Sequence, residues 1–270
     1  MNLIKCLQKD IKEYFRTGKI FIFTGTLLGL SILVVFTTWC VPILGMLMKD
    51  ASPEIVRAFG YMEQIINELV PTDVMNNIGF WAADVGLFYT VVIAIVCSTL
   101  LPNEIKNGKW IIPLNCGYRP WHFVLSKCLV YGIGTAVAET IVQCLYYAGV
   151  KMALIDNYSF ADCLAGALLF GSLCGCVTVL TILTSVCSKH SAVSCAGVMF
   201  CAIVLPDVFL AFDMCEWLPT YLFTFAYNSG TDYASVVIPW VIMIALTVCA
   251  YVVAIWRVKS RRFQENMVSF

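Results

Sequence analysis

Charge is scarce in this chain. Only 13% of its 270 residues are Asp, Glu, Lys or Arg, against 60% hydrophobic residues, and the mean hydropathy is +0.85. So little polar surface cannot cover a water-soluble globule of this size, which excludes a soluble enzyme or binding module. Histidine is scarcer still: His122 and His190 are the only two. Neither sits in an HExxH motif, and no GxSxG turn or Glu-Glu pair accompanies them. Intramembrane proteolysis and lipid hydrolysis are poor readings, and no catalytic residue or metal site is expected. A P-loop is missing too, because Gly18-Lys19 and Gly108-Lys109 lack the upstream Gly and the following Ser or Thr that phosphate and magnesium need. The chain cannot be an ATPase by itself and is expected to carry no cofactor. No low-complexity tract or repeat interrupts it, so residues 1–270 read as one domain, with no nucleic-acid partner expected.

What the sequence has in abundance is long apolar runs. Six have the roughly 20 residues that cross about 30 Å of hydrocarbon: 20–48, 79–101, 128–150, 161–186, 192–212 and 235–256. The net charge of zero hides a strong asymmetry. Lys5, Lys9, Lys12, Arg16, Lys19, Lys106, Lys109, Arg119, Lys127, Lys189, Arg257, Lys259, Arg261 and Arg262 all fall on one face if the spans alternate. The other face keeps Lys49, Arg57 and Lys151 among nine acids, from Asp50 to Asp232. The positive-inside rule then predicts an all-α, six-span membrane protein with both termini in the cytoplasm. The first apolar run exceeds the 7 to 15 residues of a signal-peptide core and no small-residue cleavage site follows, so it is expected to be retained. Eleven of the 14 cysteines lie in or beside the apolar runs, where Cys acts as a small hydrophobe. Cys163 and Cys215, near the outer face, are open to pairing.

Residues 2–19 predict an amphipathic helix, since Ile4, Leu7, Ile11 and Tyr14 recur at helical spacing with bases on the remaining faces. Such a helix lies in the membrane interface; a solvated basic tail is the alternative. Pro42 predicts a kink or an early end to the first span. The outer loop 49–78 reads as a short helix starting at Ser52-Pro53-Glu54. Within 213–234, the aromatic stretch 217–226 is too short to span and reads as a re-entrant or interfacial element. Gly25 with Gly29, and Gly171 with Gly175, have the spacing that lets helices approach closely, within one subunit or between two.

Three acids lie well inside the apolar runs, five or more residues from either end: Asp84, Glu139 and Asp207, with no Lys or Arg inside the spans to neutralise them. A carboxylate in hydrocarbon costs a few kcal/mol, so each is expected to face the bundle interior or a water-filled cavity. They line a polar pathway for cationic or amphipathic substrates, or they are hydrogen-bonded structural acids or acids close enough to the interface to stay wet.

Between the second and third spans, residues 102–118 form a short basic bridge. Pro102-Asn103-Glu104 predicts a cytoplasmic helix with Asn103 capping and Glu104 complementing the dipole. Gly108 bends it, and Asn115-Cys116-Gly117 turns the chain toward Arg119 and Lys127. This pattern of an acid, a Gly four residues on, aliphatic residues, a turn, an Arg and a Lys is filled here by Glu104, Gly108, Ile111, Ile112, Leu114, Gly117, Arg119 and Lys127. In it the chain resembles an ABC-2-type transporter permease, and the resemblance extends to the topology: amphipathic N-terminal helix, six spans, outer re-entrant element before the last span and basic C-terminus, as in type V exporters. Lys109 and Trp110 depart from the commoner Thr and aliphatic pair after Gly108.

The resemblance implies a bacterial cell-membrane exporter working as a homodimer or with a similar second permease. A separate ATP-binding subunit would hold ATP and Mg. Glu104, Lys106, Gly108, Lys109, Arg119 and Lys127 would couple to it, and an amphipathic peptide, antimicrobial or drug would pass along Asp84, Glu139 and Asp207. The rival readings are an ATP-independent secondary transporter using Glu139 as a proton relay, and an intramembrane enzyme.

Overall fold

A computed structural model describes residues 2–49, 73–154, 158–188, 190–204, 208 and 233–259. The expected outer helix within 49–78, the re-entrant element, Asp207 and Cys215 lie outside those residues, save the edges of the first. The described chain is helical throughout, without strands. We number its helices α1 (Asn2–Arg16), α2 (Lys19–Lys49), α3 (Val74–Ser98), α4 (Leu100–Lys106), α5 (Ile111–Asn115), α6 (Pro120–Ala153), α7 (Phe160–Cys187), α8 (Ser191–Met199, followed by a π turn to Val204) and α9 (Tyr233–Lys259).

Among the described residues, five stretches are long and apolar enough to cross a membrane: Lys19–Cys40, Val74–Lys106, Pro120–Ala153, Phe160–Cys187 and Val237–Lys259. Large apolar side chains such as Phe21, Phe36, Leu33 and Trp256 are left exposed on them, an arrangement water would penalise and lipid accepts. By helix length and composition this is a multi-pass membrane protein. Of the expected fifth span, 192–212, the described part is the short α8, its π turn and residue 208. Pro42 does not end α2, which continues to Lys49.

Helices α6 and α7 form the largest interface, with α2 on α6, α3 and α9 on α7, and α1 crossing α6. Local chemistry sets the helix starts. The Asp73 carboxylate accepts from the Asn76 N–H at 3.1 Å to open α3, the Ser159 hydroxyl accepts from Ala161 N–H at 3.1 Å to open α7, and Pro120 occupies the first position of α6.

The α6/α7 seam is closed by missing side chains. A Cβ on Gly171 would lie 2.7 Å from the Ala136 carbonyl oxygen and 2.6 Å from Thr140 Oγ1, and one on Gly175 would lie 2.9 Å from the Gly132 carbonyl. A hydroxyl pair, Thr135 and Thr178 at 2.9 Å, ties the same seam. In lipid this close packing and interhelical hydrogen bonding replace the hydrophobic drive. Gly171 and Gly175 therefore pack within the subunit, whereas Gly25 and Gly29 face outward from α2 with nothing within 4 Å of a built Cβ.

Farther along α6 than its contact with α1, Trp81 stacks on Tyr146 with ring centroids 5.3 Å apart and donates to Ser31 Oγ at 2.8 Å. Tyr146 donates to Asn77 Oδ1 at 2.9 Å, so α2, α3 and α6 share one buried aromatic and amide cluster. Replacing Gly171 by Ala is expected to cost about 1–3 kcal/mol by overpacking against an immovable carbonyl, while Gly25→Ala leaves stability unchanged or slightly raised. Chemical denaturation of the two variants in detergent checks this.

Candidate functional site

The basic bridge folds as two short helices, each closed by a left-handed glycine. Gly108 (φ 66°) donates its N–H to Ile105 O at 3.0 Å and Lys109 donates to Glu104 O at 3.0 Å. Gly117 (φ 84°) repeats the pattern, donating to Leu114 O at 3.0 Å, while Tyr118 donates to Pro113 O at 3.1 Å. Both are Schellman closures, which need a residue free of Cβ strain. The start of the bridge differs from the expected one. The chain breaks at Thr99, because Pro102 has no N–H to give the Ser98 carbonyl and so interrupts the ladder there. Asn103 is not a cap.

Glu104 points inward, into an ion network that the sequence reading did not assemble. Lys127, 1% exposed, places its ammonium 3.1 Å from Glu104 Oε1, 3.2 Å from Asp10 Oδ1 and 3.6 Å from Glu13 Oε2. Around this centre Trp110 Nε1 donates to Glu104 Oε2 at 3.1 Å and Ser126 Oγ donates to Asp10 Oδ2. Lys9 reaches Glu104 Oε1 at 3.3 Å. Lys19 reaches Glu13 Oε1 at 3.3 Å and donates to the Tyr131 hydroxyl at 3.1 Å. Three acids meet three ammonium groups. The carboxylates of Asp10, Glu13 and Glu104 lie close enough to one another to hold a metal ion, but the Lys127 ammonium already reaches all three.

A buried ion set of this kind contributes little net stability, because desolvation offsets the attraction, yet it is costly to break and fixes geometry. Here it locks α1, α4 and the start of α6 into one body. Burial lifts the Asp10 carboxyl above its ordinary range, against the pull of Lys127 and the hydrogen bond from Ser126.

The outer side of the bridge is different. Lys106, Lys109, Ile111, Ile112 and Arg119 are exposed, with Ile112 75% accessible. Arg119 marks the start of α6, where its N–H donates to His122 Nδ1 at 3.3 Å. Of the proposed coupling residues, Glu104 and Lys127 thus lie behind the bridge, and Lys106, Lys109 and Arg119 lie on its free face.

The two described span acids go separate ways. Trp81, Val85 and Tyr89 occupy the inner stripe of α3, and this register turns Asp84 outward beside Leu87 and Phe88, so of the two expected surroundings, bundle interior or water-filled cavity, it does not take the interior of this subunit. Glu139 does face inward. It is fully buried against Gly171 of α7, its two carboxylate oxygens have no hydrogen-bond partner, and the amide of buried Gln143, one turn along, has none either. Four unsatisfied polar atoms at one helix seam are unusual in a folded protein.

Asp10, Glu13, Trp110, Ser126 and Gln143 were missed in the sequence. The available signal was small: Asp10 and Glu13 are the only acids of an otherwise basic helix and stand three apart, on one side of it.

Lys127→Met is expected to cost about 3–5 kcal/mol, since it strands three carboxylates, and the added Asp10→Asn and Glu104→Gln changes are expected to restore most of the loss in denaturation assays. The raised Asp10 pKa gives a sign with pH. Its contribution is full below the ordinary carboxylate pKa of about 4 and is lost as pH rises through the folded value. The stability of the wild type relative to Asp10→Asn therefore falls as pH rises from about 4, measurable by denaturation at each pH.

Compared with known proteins, the chain matches no protein-family model, and no curated protein or solved structure is significantly similar to it, so its function is read from the geometry alone.

Proposed function

We propose that the chain is the membrane permease subunit of an ATP-driven exporter, with ATP hydrolysed on a separate ATP-binding-cassette subunit. The observation that carries this reading is the two-sided bridge. Its back is fixed to α1 and α6 by the Glu104–Lys127–Asp10 network, and its front offers Lys106, Lys109, Ile111, Ile112 and Arg119 to a partner. A push on the front would move α1 and the basic end of α6 together, because a buried ion set resists separation far more than an apolar contact resists sliding.

The reading places two copies of the permease together along the outward face of α3. Asp84 among Leu87 and Phe88 is poorly matched to lipid and well matched to a polar path shared between copies. An amphipathic substrate, a peptide or antimicrobial, suits apolar walls that carry a carboxylate. Export, the plasma membrane and cytoplasmic termini follow from the same reading.

A second reading has its own observation. The partnerless Glu139, with Gln143 beside it, suits a proton relay in an ATP-independent transporter.

A pull-down of the tagged chain from solubilised membranes of its native host separates them. The expected result is a co-purifying ATPase whose yield drops at least tenfold in the Lys109→Glu, Ile112→Asp variant while the melting temperature is unchanged. If no ATPase accompanies the wild type, and Glu139→Gln abolishes substrate-driven proton flux in proteoliposomes, the second reading replaces the first.

A further inference from the structure

Two open apolar grooves lie along the seam between α2 and α6. One, of about 670 Å³, is roofed by α1 and lined by Leu7, Ile11, Phe15, Ile133, Val137 and Ile141 among others. The other, of about 440 Å³, lies farther along the seam beside Ile32, Phe36 and Leu145. The lining of the first runs along α6 from Leu129 to Ile141, about 18 Å at 1.5 Å per residue. That is close to the half-thickness of a hydrocarbon core of about 30 Å, the depth of a single leaflet.

The two grooves differ at their mouths. On α1, Lys5, Lys12 and Arg16 recur at seven and four residues and form one exposed stripe directly beside the exposed Ile4, Ile11 and Phe15. The acids of α1, Asp10 and Glu13, are turned into the bundle and bound to Lys127 and Lys19. The ion network thus strips the outer face of α1 of negative charge. None of the stripe's three bases is in an ion pair among the described residues. No Lys or Arg lines the second groove.

We propose that the groove beneath α1 binds an anionic phospholipid. One acyl chain lies along α6 from Ile133 to Ile141, and the phosphate and headgroup rest on the Lys12–Arg16 edge of α1. A base near an anionic headgroup contributes roughly a fivefold preference, so the stripe selects anionic over zwitterionic lipid. The bound chain would fill the space between α1 and the spans and hold α1 against α6, where the ion network needs it. This binding is independent of whether an ATPase docks on the bridge.

Native mass spectrometry of the purified full-length protein in detergent, offered dioleoyl phosphatidylglycerol or dioleoyl phosphatidylcholine at equal concentration, tests the site. The wild type is expected to retain phosphatidylglycerol at least fivefold more. Lys12→Glu with Arg16→Glu, both exposed positions, should bring the ratio to about one. Val137→Trp, which fills the groove without touching the charged edge, should lower retention of both lipids, while Ile32→Trp in the other groove leaves the ratio as it was. Equal retention by the wild type, a preference that survives charge reversal, or retention indifferent to Val137→Trp overturns the proposal.

Discussion

The ammonium of Lys127 among the carboxylates of Asp10, Glu13 and Glu104 is the contact on which the basic end of the bundle depends. In lipid, apolar side chains gain nothing by leaving their surroundings for one another, so apolar contact alone gives a helix little reason to prefer one register. A charged group without its partner in that setting is expensive, and the expense is directional. Satisfying Lys127 fixes where α1 crosses α6, where α4 folds back, and which edge of α1 is left to face the membrane. The glycine closures at 108 and 117 then determine how the bridge hangs from that fixed point.

Along α6, buried polar groups are treated in two opposite ways. Near Lys127 every buried charge has a partner, with Trp110, Ser126 and Tyr131 supplying the remaining hydrogen bonds. Around Glu139 and Gln143 the groups are equally buried and unpaired. The first arrangement resists change; the second lacks the hydrogen bonds that would hold it in one state. Gly171 keeps the two helices close enough that its own backbone sits against the Glu139 carboxylate. Any movement of α7 along α6 would therefore alter the surroundings of that carboxylate directly. In the proposed permease, the rigid end and the unsatisfied middle of this one helix would turn a push at the bridge into a change at depth.

The helices themselves were legible in the chain, because span length and helix caps depend on residues that are neighbours in sequence. Apolar runs located the five described membrane-length helices, and Gly108 and Gly117 announced their turns. The Pro102 break was misplaced by three residues, since the proline acts through the carbonyl four positions earlier and not at its own position. What could not be read were contacts whose partners are far apart: Asp10 and Lys127 are 117 residues apart in sequence and 3.2 Å apart in space. Nor did the sequence say which way an acid faces. Asp84 and Glu139 are alike in composition, but the stripe of Trp81, Val85 and Tyr89 takes the inner side of α3 and turns Asp84 out, while Gly171 leaves room for Glu139 to turn in. Hydropathy along the chain is a local property and therefore fixes how many helices can cross and how long they are. The direction of each polar side chain depends on which neighbouring helix fills the space beside it, and only packing in three dimensions settles that.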